Sequence, residues 1–220
     1  MIRAVIFDVD GTLVDTTAMH ASAWYESFEY FGRIFPIEKI RSQIGKGGDQ
    51  LKPVFLSENE LAAFGSDLDR YRREHWKRNY LHRVKAFPKV RELFQRIRND
   101  GKSIALATSS HEEDLVVYEN AAHIGDLVDG KVTASNVAHS KPAPDVFLVA
   151  LEQLDLMSSK EAIVVGDSPH DAAAATATGL LMIGVRTGGY SDKELLMAGV
   201  REIYNDPSDL LDHYDSSLLA

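Results

Sequence analysis

The sequence predicts an α/β fold in which a mostly parallel β-sheet carries helices on both faces and a helical segment is inserted after the first strand. Short apolar runs recur along the chain, and stretches with helical spacing of their apolar residues lie between them. Strands that alternate with helices are typical of parallel sheets, because each crossover needs a helix-length connection. Residues 16–86 lack strand-like runs, which sets them apart as the insert.

The apolar runs predict four strands, and two patterned stretches predict helices between them. The first run, Ala4 to Phe7, is rich in β-branched and aromatic residues and leads into a glycine turn. Further strands are expected at residues 104–107, 162–165 and 181–185, with helices at 89–99 and 146–154. Together these elements give a Rossmann-like sheet. Residues 215–220 are expected to form a fraying tail.

Residues 16–86 are rich in aromatic and basic side chains and have the periodicity of helices. We expect them to form a small helical cap domain that joins the core near residues 15–17 and 86–88. The Rossmann-like core domain is then discontinuous and comprises residues 1–15 and 87–220.

Composition narrows the classes of function. With 33 acidic and 24 basic residues the formal net charge is −9, so neither nucleic acid nor an anionic membrane is an expected partner. The chain has no cysteine, which excludes disulfides and thiol nucleophiles and suits a reducing compartment. No stretch reaches the roughly 18 apolar residues of a membrane span, and the first residues lack a signal-peptide core. We therefore expect a cytoplasmic protein, for which the sequence leaves monomer and homodimer open.

Two carboxylates, Asp8 and Asp10, follow the first predicted strand at once. Side chains alternate in extended backbone, so both point to the same side. Like charges this close are costly unless a cation or a shared proton lies between them, which indicates a divalent metal, acid/base chemistry or both. The alternative is a polar turn in which Asp and Gly serve only the backbone.

Three further segments place reactive side chains after an apolar strand or before a helix. They are Thr108-Ser109-Ser110, Ser140-Lys141-Pro142-Ala143-Pro144-Asp145 and Gly166-Asp167-Ser168-Pro169-His170-Asp171. With Asp8-Val9-Asp10-Gly11-Thr12, in this order and strand context, they resemble the motif set of the haloacid dehalogenase-like superfamily. The resemblance extends to about Gly189, and the helical insert resembles that of the phosphoglycolate phosphatase and β-phosphoglucomutase branch.

The resemblance implies roles for the acids. Asp8 attacks a phosphoryl group to form an aspartyl-phosphate, while Asp10 protonates the leaving oxygen and then activates water. Mg²⁺ is held by the Asp8 carboxylate, the main-chain carbonyl of Asp10 and the Asp167 carboxylate. Asp171 supports the metal site from outside its direct ligands, although Ser168 to Asp171 is also typical of a helix N-cap with an acid in the first turn.

The second and third motifs predict a phosphate site. Thr108 and the backbone amide of Ser109 are expected to hold phosphate oxygens, although threonine also favours strand ends. Ser110 is expected to cap the next helix, because Ser110 and Glu113 have the spacing of a capping box. Lys141 lies between Ser140 and Pro142 and could be an ordinary surface lysine in a loop. The resemblance implies instead that it stabilises the phosphate and pairs with Asp8.

Three features of the insert bear on the substrate. His20 contacts the substrate site or belongs to a packed face with Trp24, and both remain open. Lys46, in a glycine-rich loop that does not fit a nucleotide-binding P-loop, is expected to meet a substrate anion, with a flexible turn as the alternative. The basic residues 70–78 are expected to form a solvated helix face.

The predicted function is a Mg²⁺-dependent phosphatase that acts on a small phosphorylated metabolite. A sugar-phosphate mutase of the β-phosphoglucomutase type would share the same core motifs and is the first alternative. A signalling receiver or other non-catalytic phosphoacceptor is the second, since receivers also combine Asp, Mg²⁺, Thr and Lys. The position of Asp8 on the first strand, beside Asp10 and before a long insert, disfavours the receiver.

Overall fold

A parallel sheet forms the centre of the computed structural model, which describes residues 2–220. The strands are β1 (Ala4–Phe7), β2 (Ser103–Ala107), β3 (Gly130–Val132), β4 (Ala162–Gly166), β5 (Leu181–Val185) and β6 (Glu202–Tyr204). Their order across the sheet is β3-β2-β1-β4-β5-β6, and each neighbouring pair is parallel. The four predicted strands are the four central ones, which confirms the α/β fold class.

The two edge strands, β3 and β6, are not predicted from the sequence. Each has three residues, Gly-Lys-Val in β3 and Glu-Ile-Tyr in β6, so neither forms an apolar run. Short edge strands with charged residues are common because a long apolar edge would pair with other chains. Hydrophobic periodicity therefore identifies the buried centre of the sheet and misses its rim.

Helices cover both faces of the sheet, as predicted. They are α1 (Thr17–Tyr30), α2 (Ile37–Arg41), α3 (Gly48–Leu51), α4 (Glu58–Asn79), α5 (Val90–Asn99), α6 (Glu112–Ala122), α7 (Asp145–Gln153), α8 (Pro169–Thr178), α9 (Asp192–Ala198) and α10 (Pro207–Asp212). Val5 and Phe7 face the cluster that includes α5, α6 and α10, whereas Ala4 and Ile6 face α7, α8 and α9. Within residues 2–220 none of the helices has the length and apolar character to cross a membrane.

Helices α1 to α4 lie between β1 and β2 in the chain and have an apolar cluster of their own. Trp24, Phe28 and Leu68 are among its buried members. The chain enters and leaves this segment at one crossing, where the Asp15 amide donates to the Lys85 carbonyl at 2.9 Å. The division into a core of 1–15 and 87–220 and a cap of 16–86 places both boundaries at this crossing, and we retain it as a proposal.

The C-terminal residues do not fray as the sequence suggested. Leu219 and Tyr214 are buried in the core cluster on one face of the sheet. The Lys102 ammonium, itself buried, donates to the Leu219 carbonyl and, at 3.3 Å, to the Tyr214 hydroxyl. The polar residues near the end conceal this anchoring, because the contacts that hold the segment, including those of the Lys102 ammonium, come from residues distant in sequence.

Replacing Leu219 with alanine tests this anchoring. Leu219 is fully buried, so L219A removes packed methyl groups and should lower the free energy of unfolding by about 2–5 kcal/mol. Leu196→Ala is the matched control, since Leu196 is 54% exposed in α9 and its truncation should have little effect. Urea titrations of both variants give the comparison, and an unchanged midpoint for L219A would mean that the tail is not packed.

Candidate functional site

The carboxyl ends of the central strands meet at one edge of the sheet, and the candidate site lies there. Asp8 follows β1, Thr108 follows β2 and Asp167 follows β4 by one residue each. The strands run in parallel and in register, so the three side chains converge at this edge. Lys141 reaches the same point from the loop before α7.

Lys141 is fully buried and contacts acceptors on three segments. Its ammonium lies 2.5 Å from Asp8 Oδ1, 2.7 Å from Asp171 Oδ1 and 2.7 Å from the Ala107 carbonyl. Burial alone would lower the pKa of Lys141, but the charges of Asp171 and Asp8 hold it above its ordinary value. Lys141 is therefore a fixed positive charge beside Asp8, as the sequence motif suggested.

Three buried carboxylates, those of Asp8, Asp167 and Asp171, face this one ammonium. Oxygen atoms of the three lie within 4.8 Å of one another. Burial raises the pKa of Asp8 to about 7, with Asp171 and Asp10 adding to the effect and Lys141 opposing it. Burial, Asp8 and Asp171 likewise hold the pKa of Asp167 well above its ordinary value. When all three acids are ionised the cluster carries more negative charge than Lys141 balances, and its hard oxygen donors fit a divalent cation.

The backbone approaches Asp167 so closely that only glycine fits at two positions. A Cβ atom on Gly11 would lie 2.4 Å from Asp167 Oδ2, and one on Gly188 would lie 2.1 Å from it. Thr12 adds a hydroxyl that lies 3.2 Å from Asp8 Oδ2 and 3.0 Å from Asp167 Oδ1. The two carboxylates are thus held in one orientation by a tight backbone cradle.

Asp171 has both of its oxygens engaged by protein groups. Oδ1 pairs with Lys141, and Oδ2 accepts from the Ser168 amide at 3.2 Å and the Ser168 hydroxyl at 2.6 Å. The Ser168 and Asp171 contacts form a capping box at the start of α8. The predicted helix cap is therefore present, and the same carboxylate belongs to the cluster with Asp8 and Asp167, while its place outside the direct metal ligands stays a prediction.

Asp10 lies in a different environment from Asp8, although the two are separated by one residue. Its Oδ1 accepts from Thr16 Oγ1 at 3.0 Å and from His20 at 2.7 Å, and its Oδ2 accepts from Thr108 Oγ1 at 3.1 Å and Ser110 Oγ at 2.7 Å. Burial would raise the pKa of Asp10, but His20 and the hydroxyl donors outweigh it and hold that pKa well below its ordinary value. Asp10 is therefore ionised in this arrangement.

His20 connects Asp10 to Arg72 of α4. Its Nδ1 lies 2.6 Å from Arg72 Nη2, and a guanidinium only donates, so Nδ1 accepts and Nε2 carries the hydrogen that is donated to Asp10. Burial lowers the pKa of His20, which keeps the ring neutral, although Asp10 opposes this. The ring also stacks on Trp76 with centroids 3.8 Å apart. The structure thus combines the two alternatives for His20, because it is packed and also lies at the site.

The prediction that Ser110 caps the next helix is wrong. Helix α6 begins at Glu112 after His111, and no side chain caps it. The Ser110 hydroxyl instead donates to Asp10. The spacing of Ser110 and Glu113 suggested a local cap, whereas the hydroxyl is recruited by a carboxylate that is distant in sequence.

The prediction of a solvated face for residues 70–78 holds for most of the segment but is wrong for Arg72 and Trp76. Trp76 is fully buried, and the Arg72 guanidinium lies over the rings of Trp24 and Trp76 at 5.2 and 5.6 Å. Leu68, Arg72 and Trp76 are spaced four residues apart on one side of α4, where Leu68 and Trp76 are buried and Arg72 is half-buried. That spacing is the sequence signal that could have identified Arg72.

Lys46 of the insert and Ser109 of the core also lie at the site, where both line the same cavity. The Lys46 ammonium donates to Gln43 Oε1 at 2.6 Å, and burial lowers its pKa. The Ser109 hydroxyl lies 3.4 Å from the Gly45 carbonyl. Sequence reasoning singled out both residues but did not place Ser109 against the glycine-rich loop.

These side chains enclose a cavity of about 60 Å³, and a second cavity of about 250 Å³ shares part of its wall. The first is lined by Asp8, Asp10, His20, Trp24, Ile44, Gly45, Lys46, Gly47, Gly48, Arg72, Thr108, Ser109 and Ser110. Trp24, Gly48, Arg72, Ser109 and Ser110 border both cavities. The arrangement offers a small polar space at the carboxylates and a larger one beside it.

The chain is similar to a known protein family and to characterised proteins. Residues 5–185 match the family model described as haloacid dehalogenase-like hydrolase. A phosphoglycolate phosphatase of Nitrosospira multiformis is 34% identical over 184 residues, which cover 81% of this chain and 80% of that protein.

Solved structures are similar over nearly the whole chain. A hydrolase from Pseudomonas syringae has a TM-score of 0.89 and 27% identity and covers 98% of this chain and 99% of its own. A candidate β-phosphoglucomutase from Thermotoga maritima has a TM-score of 0.71 and 26% identity, with 99% and 100% covered. The sequence match and the structural match together show that the chain belongs to the haloacid dehalogenase-like hydrolase family.

Proposed function

We propose that this chain is a divalent-metal-dependent phosphatase that hydrolyses a small phosphorylated metabolite through an aspartyl-phosphate on Asp8. The observation that carries the proposal is the placement of Asp8 between the Lys141 ammonium and the Asp167 carboxylate, with Asp10 on the wall of the same cavity. One carboxylate is thus fixed beside a cation, and the other is surrounded by proton donors.

In the first step an Asp8 oxygen forms a bond to phosphorus while the bond from phosphorus to the ester oxygen breaks. Lys141 and Thr12 hold the Asp8 side chain in one orientation, so the nucleophile is preorganised and loses little conformational entropy in the attack. Thr108 and Lys141 are suited to stabilise the charge on the phosphoryl oxygens, because both are buried at the end of the sheet. The leaving oxygen takes a proton from Asp10.

In the second step water attacks the phosphorus of the aspartyl-phosphate and gives a proton to Asp10, while the bond from phosphorus to the Asp8 oxygen breaks and releases inorganic phosphate and the free carboxylate. The four donors around Asp10 favour its ionised form, which is the form that accepts this proton. The first step needs the protonated form, and an anionic phosphate beside Asp10 would raise its pKa in that direction. Asp10 then serves both steps, because the bound substrate changes the proton affinity of the Asp10 carboxylate.

A metal ion fits the same cluster. Mg²⁺ held by the carboxylates of Asp8 and Asp167 and the main-chain carbonyl of Asp10 would neutralise charge on the phosphoryl group. Asp171 has both oxygens engaged and would keep Lys141 and the start of α8 in place. Lys141 and this ion together would offset the repulsion between the carboxylates and a phosphate.

The substrate is a small phosphorylated metabolite. The cavity at the carboxylates is small, and the adjoining one leaves room for the rest of a modest molecule. Phosphoglycolate belongs in the first panel, because the relative from Nitrosospira multiformis is a phosphoglycolate phosphatase. Lys46 and Arg72 line the cavity and are the cations of the insert best placed to meet an anionic substrate.

A sugar-phosphate mutase is the second candidate, favoured by the likeness to the candidate β-phosphoglucomutase from Thermotoga maritima. A mutase interconverts phosphate isomers and needs a bisphosphate activator, whereas a phosphatase releases inorganic phosphate. Glucose 1-phosphates, assayed with and without their bisphosphates, separate the two activities.

Asp8→Asn should abolish phosphate release from every substrate in a panel of phosphorylated metabolites assayed with Mg²⁺, because an amide is not a nucleophile toward phosphorus. The variant is nearly isosteric and should remain folded by circular dichroism. Asp155→Asn is the matched control, since Asp155 is exposed and its left-handed backbone (φ 51°) suits asparagine. Wild-type rates in D8N would exclude the proposed nucleophile, and wild-type release in excess chelator would exclude the metal.

Arg72→Gln should lower kcat/KM roughly tenfold or more, because the shorter, uncharged side chain replaces the guanidinium whose Nη2 donates to His20 Nδ1 and fixes the His20 tautomer next to Asp10. Arg78→Gln, six residues along α4 on an exposed position, is the control and should behave like the wild type. Steady-state kinetics across pH would show the loss. Equal rates for R72Q and R78Q would mean that the contact between Arg72 and His20 does not serve the reaction.

The raised pKa of Asp8 predicts a pH-dependent difference in stability between D8N and the wild type in chelator. Folded Asp8 binds its proton up to about pH 7, whereas an unfolded aspartate releases it near its ordinary value of 3.8. The wild type therefore loses stability relative to D8N as pH rises through this interval. Thermal unfolding from pH 4 to 8 should show Tm of D8N minus Tm of wild type increasing toward pH 7, then levelling. A constant difference would contradict the assigned pKa.

A further inference from the structure

The turn of the insert at Gly47 to Asp49, which begins the short helix α3, contacts the core at Ser140, the residue before Lys141. Asp49 Oδ2 accepts a hydrogen bond from the Ser140 amide at 3.1 Å. The same contact helps to lower the pKa of Asp49, although burial opposes it, so the acceptor is a carboxylate. A side chain of the insert is thus bonded to the main chain that leads into Lys141.

Gly47 brings the turn close to Ser140 because it has no side chain. A Cβ atom there would lie 2.2 Å from Ser140 Oγ and 2.3 Å from Ser140 Cβ, which no side chain can occupy. Gly47 has φ −72° and ψ 164°, a backbone conformation that alanine adopts freely. The glycine is therefore required by the approach to Ser140 and not by its own backbone.

The loop that carries Lys141 has few other supports. Residues 137–144 lie outside helices and strands. Within the loop the Ala143 amide donates to the Ser140 carbonyl at 3.1 Å, and the His139 amide donates to Asp145 at 3.1 Å. The Ser140 amide, between these two contacts, is bonded to Asp49 of the insert. The insert thus supplies one of the bonds that fix the main chain immediately before Lys141.

We propose that the Gly47–Asp49 turn is a positioning element for Lys141, which it holds against Asp8 by fixing Ser140. The insert then does more than cover the site, because its docking also sets the position of a core cation. The proposal takes from the proposed function only that Lys141 acts at the reacting centre, and Lys141 can be followed without any assay of catalysis.

Acetylation of Lys141 by an amine-reactive acetate ester, measured by mass spectrometry in the folded protein, tests the proposal. Lys141 is 1% exposed and should be protected in the wild type. Gly47→Ala should accelerate its acetylation several-fold, since the added methyl group pushes against Ser140. Asp49→Ala removes the acceptor without adding bulk and should act in the same direction. Wild-type protection in both variants would overturn the proposal.

A second substitution at Ser140 distinguishes the contact between Gly47 and Ser140 from a general loosening of the protein. Ser140→Gly removes the two Ser140 atoms that the new methyl group would strike, and the remaining close atom, Asp49 Oδ1 at 2.7 Å, is the end of a side chain that can rotate. The G47A/S140G double variant should therefore regain protection of Lys141. Gly125→Ala is the matched glycine control, because Gly125 is exposed and a Cβ atom on it would have no neighbour within 4 Å. If Lys141 is acetylated as fast in the double variant as in G47A, Ser140 does not transmit the effect.

Another contact between insert and core distinguishes positioning from closure. The Tyr190 hydroxyl donates to the Ile44 carbonyl at 3.2 Å, and Tyr190→Phe removes that bond without touching Ser140. Y190F should leave Lys141 protected, and equal acetylation in Y190F and G47A would assign the effect to loosening of the whole insert.

The kinetics complete the test. If the chain releases phosphate as proposed, G47A should lower kcat/KM roughly tenfold, equivalent to about 1.4 kcal/mol, mostly through kcat, and S140G should restore it. A wild-type chain inactive on the whole panel would reject the proposed function but leave the acetylation result valid. If Lys141 is acetylated faster in G47A and D49A but their kcat is unchanged, the positioning role is rejected and the proposed function stands.

Discussion

The ion pairs of Lys141 with Asp8 and Asp171 are the interactions on which the site depends. The sheet brings three carboxylates to one buried point, and burying a charge without a partner costs several kcal/mol. Lys141 supplies one positive charge there, which leaves the cluster negative. The parallel sheet thus creates an electrostatic imbalance that a divalent cation would relieve. The mutual repulsion that makes this cluster costly to bury also suits it to bind a metal and, through the metal, a phosphate.

Asp8 and Asp10 show how the environment gives two similar side chains different chemistry. Burial and the neighbouring carboxylates raise the pKa of Asp8 to about 7, whereas Asp10 is also buried but lies among hydroxyl and imidazole donors, which lower its pKa. Alternation along the strand end sends both side chains to one cavity, but the neighbours of each come from other segments. Division of labour between a nucleophile and a proton carrier follows from those neighbours.

The sequence predicts what depends on local pattern and misses what depends on contacts between distant segments. The central strands and the acids at their ends follow from short apolar runs and motif order, and the structure brings Asp8, Thr108, Lys141 and Asp167 together. Ser110 and Arg72 could not be assigned in this way, because the partners that define them, Asp10 and His20, lie 100 and 52 residues away. The edge strands and the anchored tail are missed for the same reason, since pairing and burial define them rather than periodicity.

The contacts of the glycine-rich loop suggest how closure and selectivity are divided in this chain. The carbonyl groups of Ser42, Ile44 and Gly45 accept from side chains of the core, namely His170, Tyr190 and Ser109. Main-chain acceptors are present whatever the side chain, so these contacts do not restrict the sequence of the loop. Lys46 is bonded only within the insert, to Gln43, and lines the cavity. Backbone carbonyls and the Asp49 carboxylate therefore dock the loop, while the Lys46 side chain makes no hydrogen bond to the described residues of the core and is left to recognise the substrate.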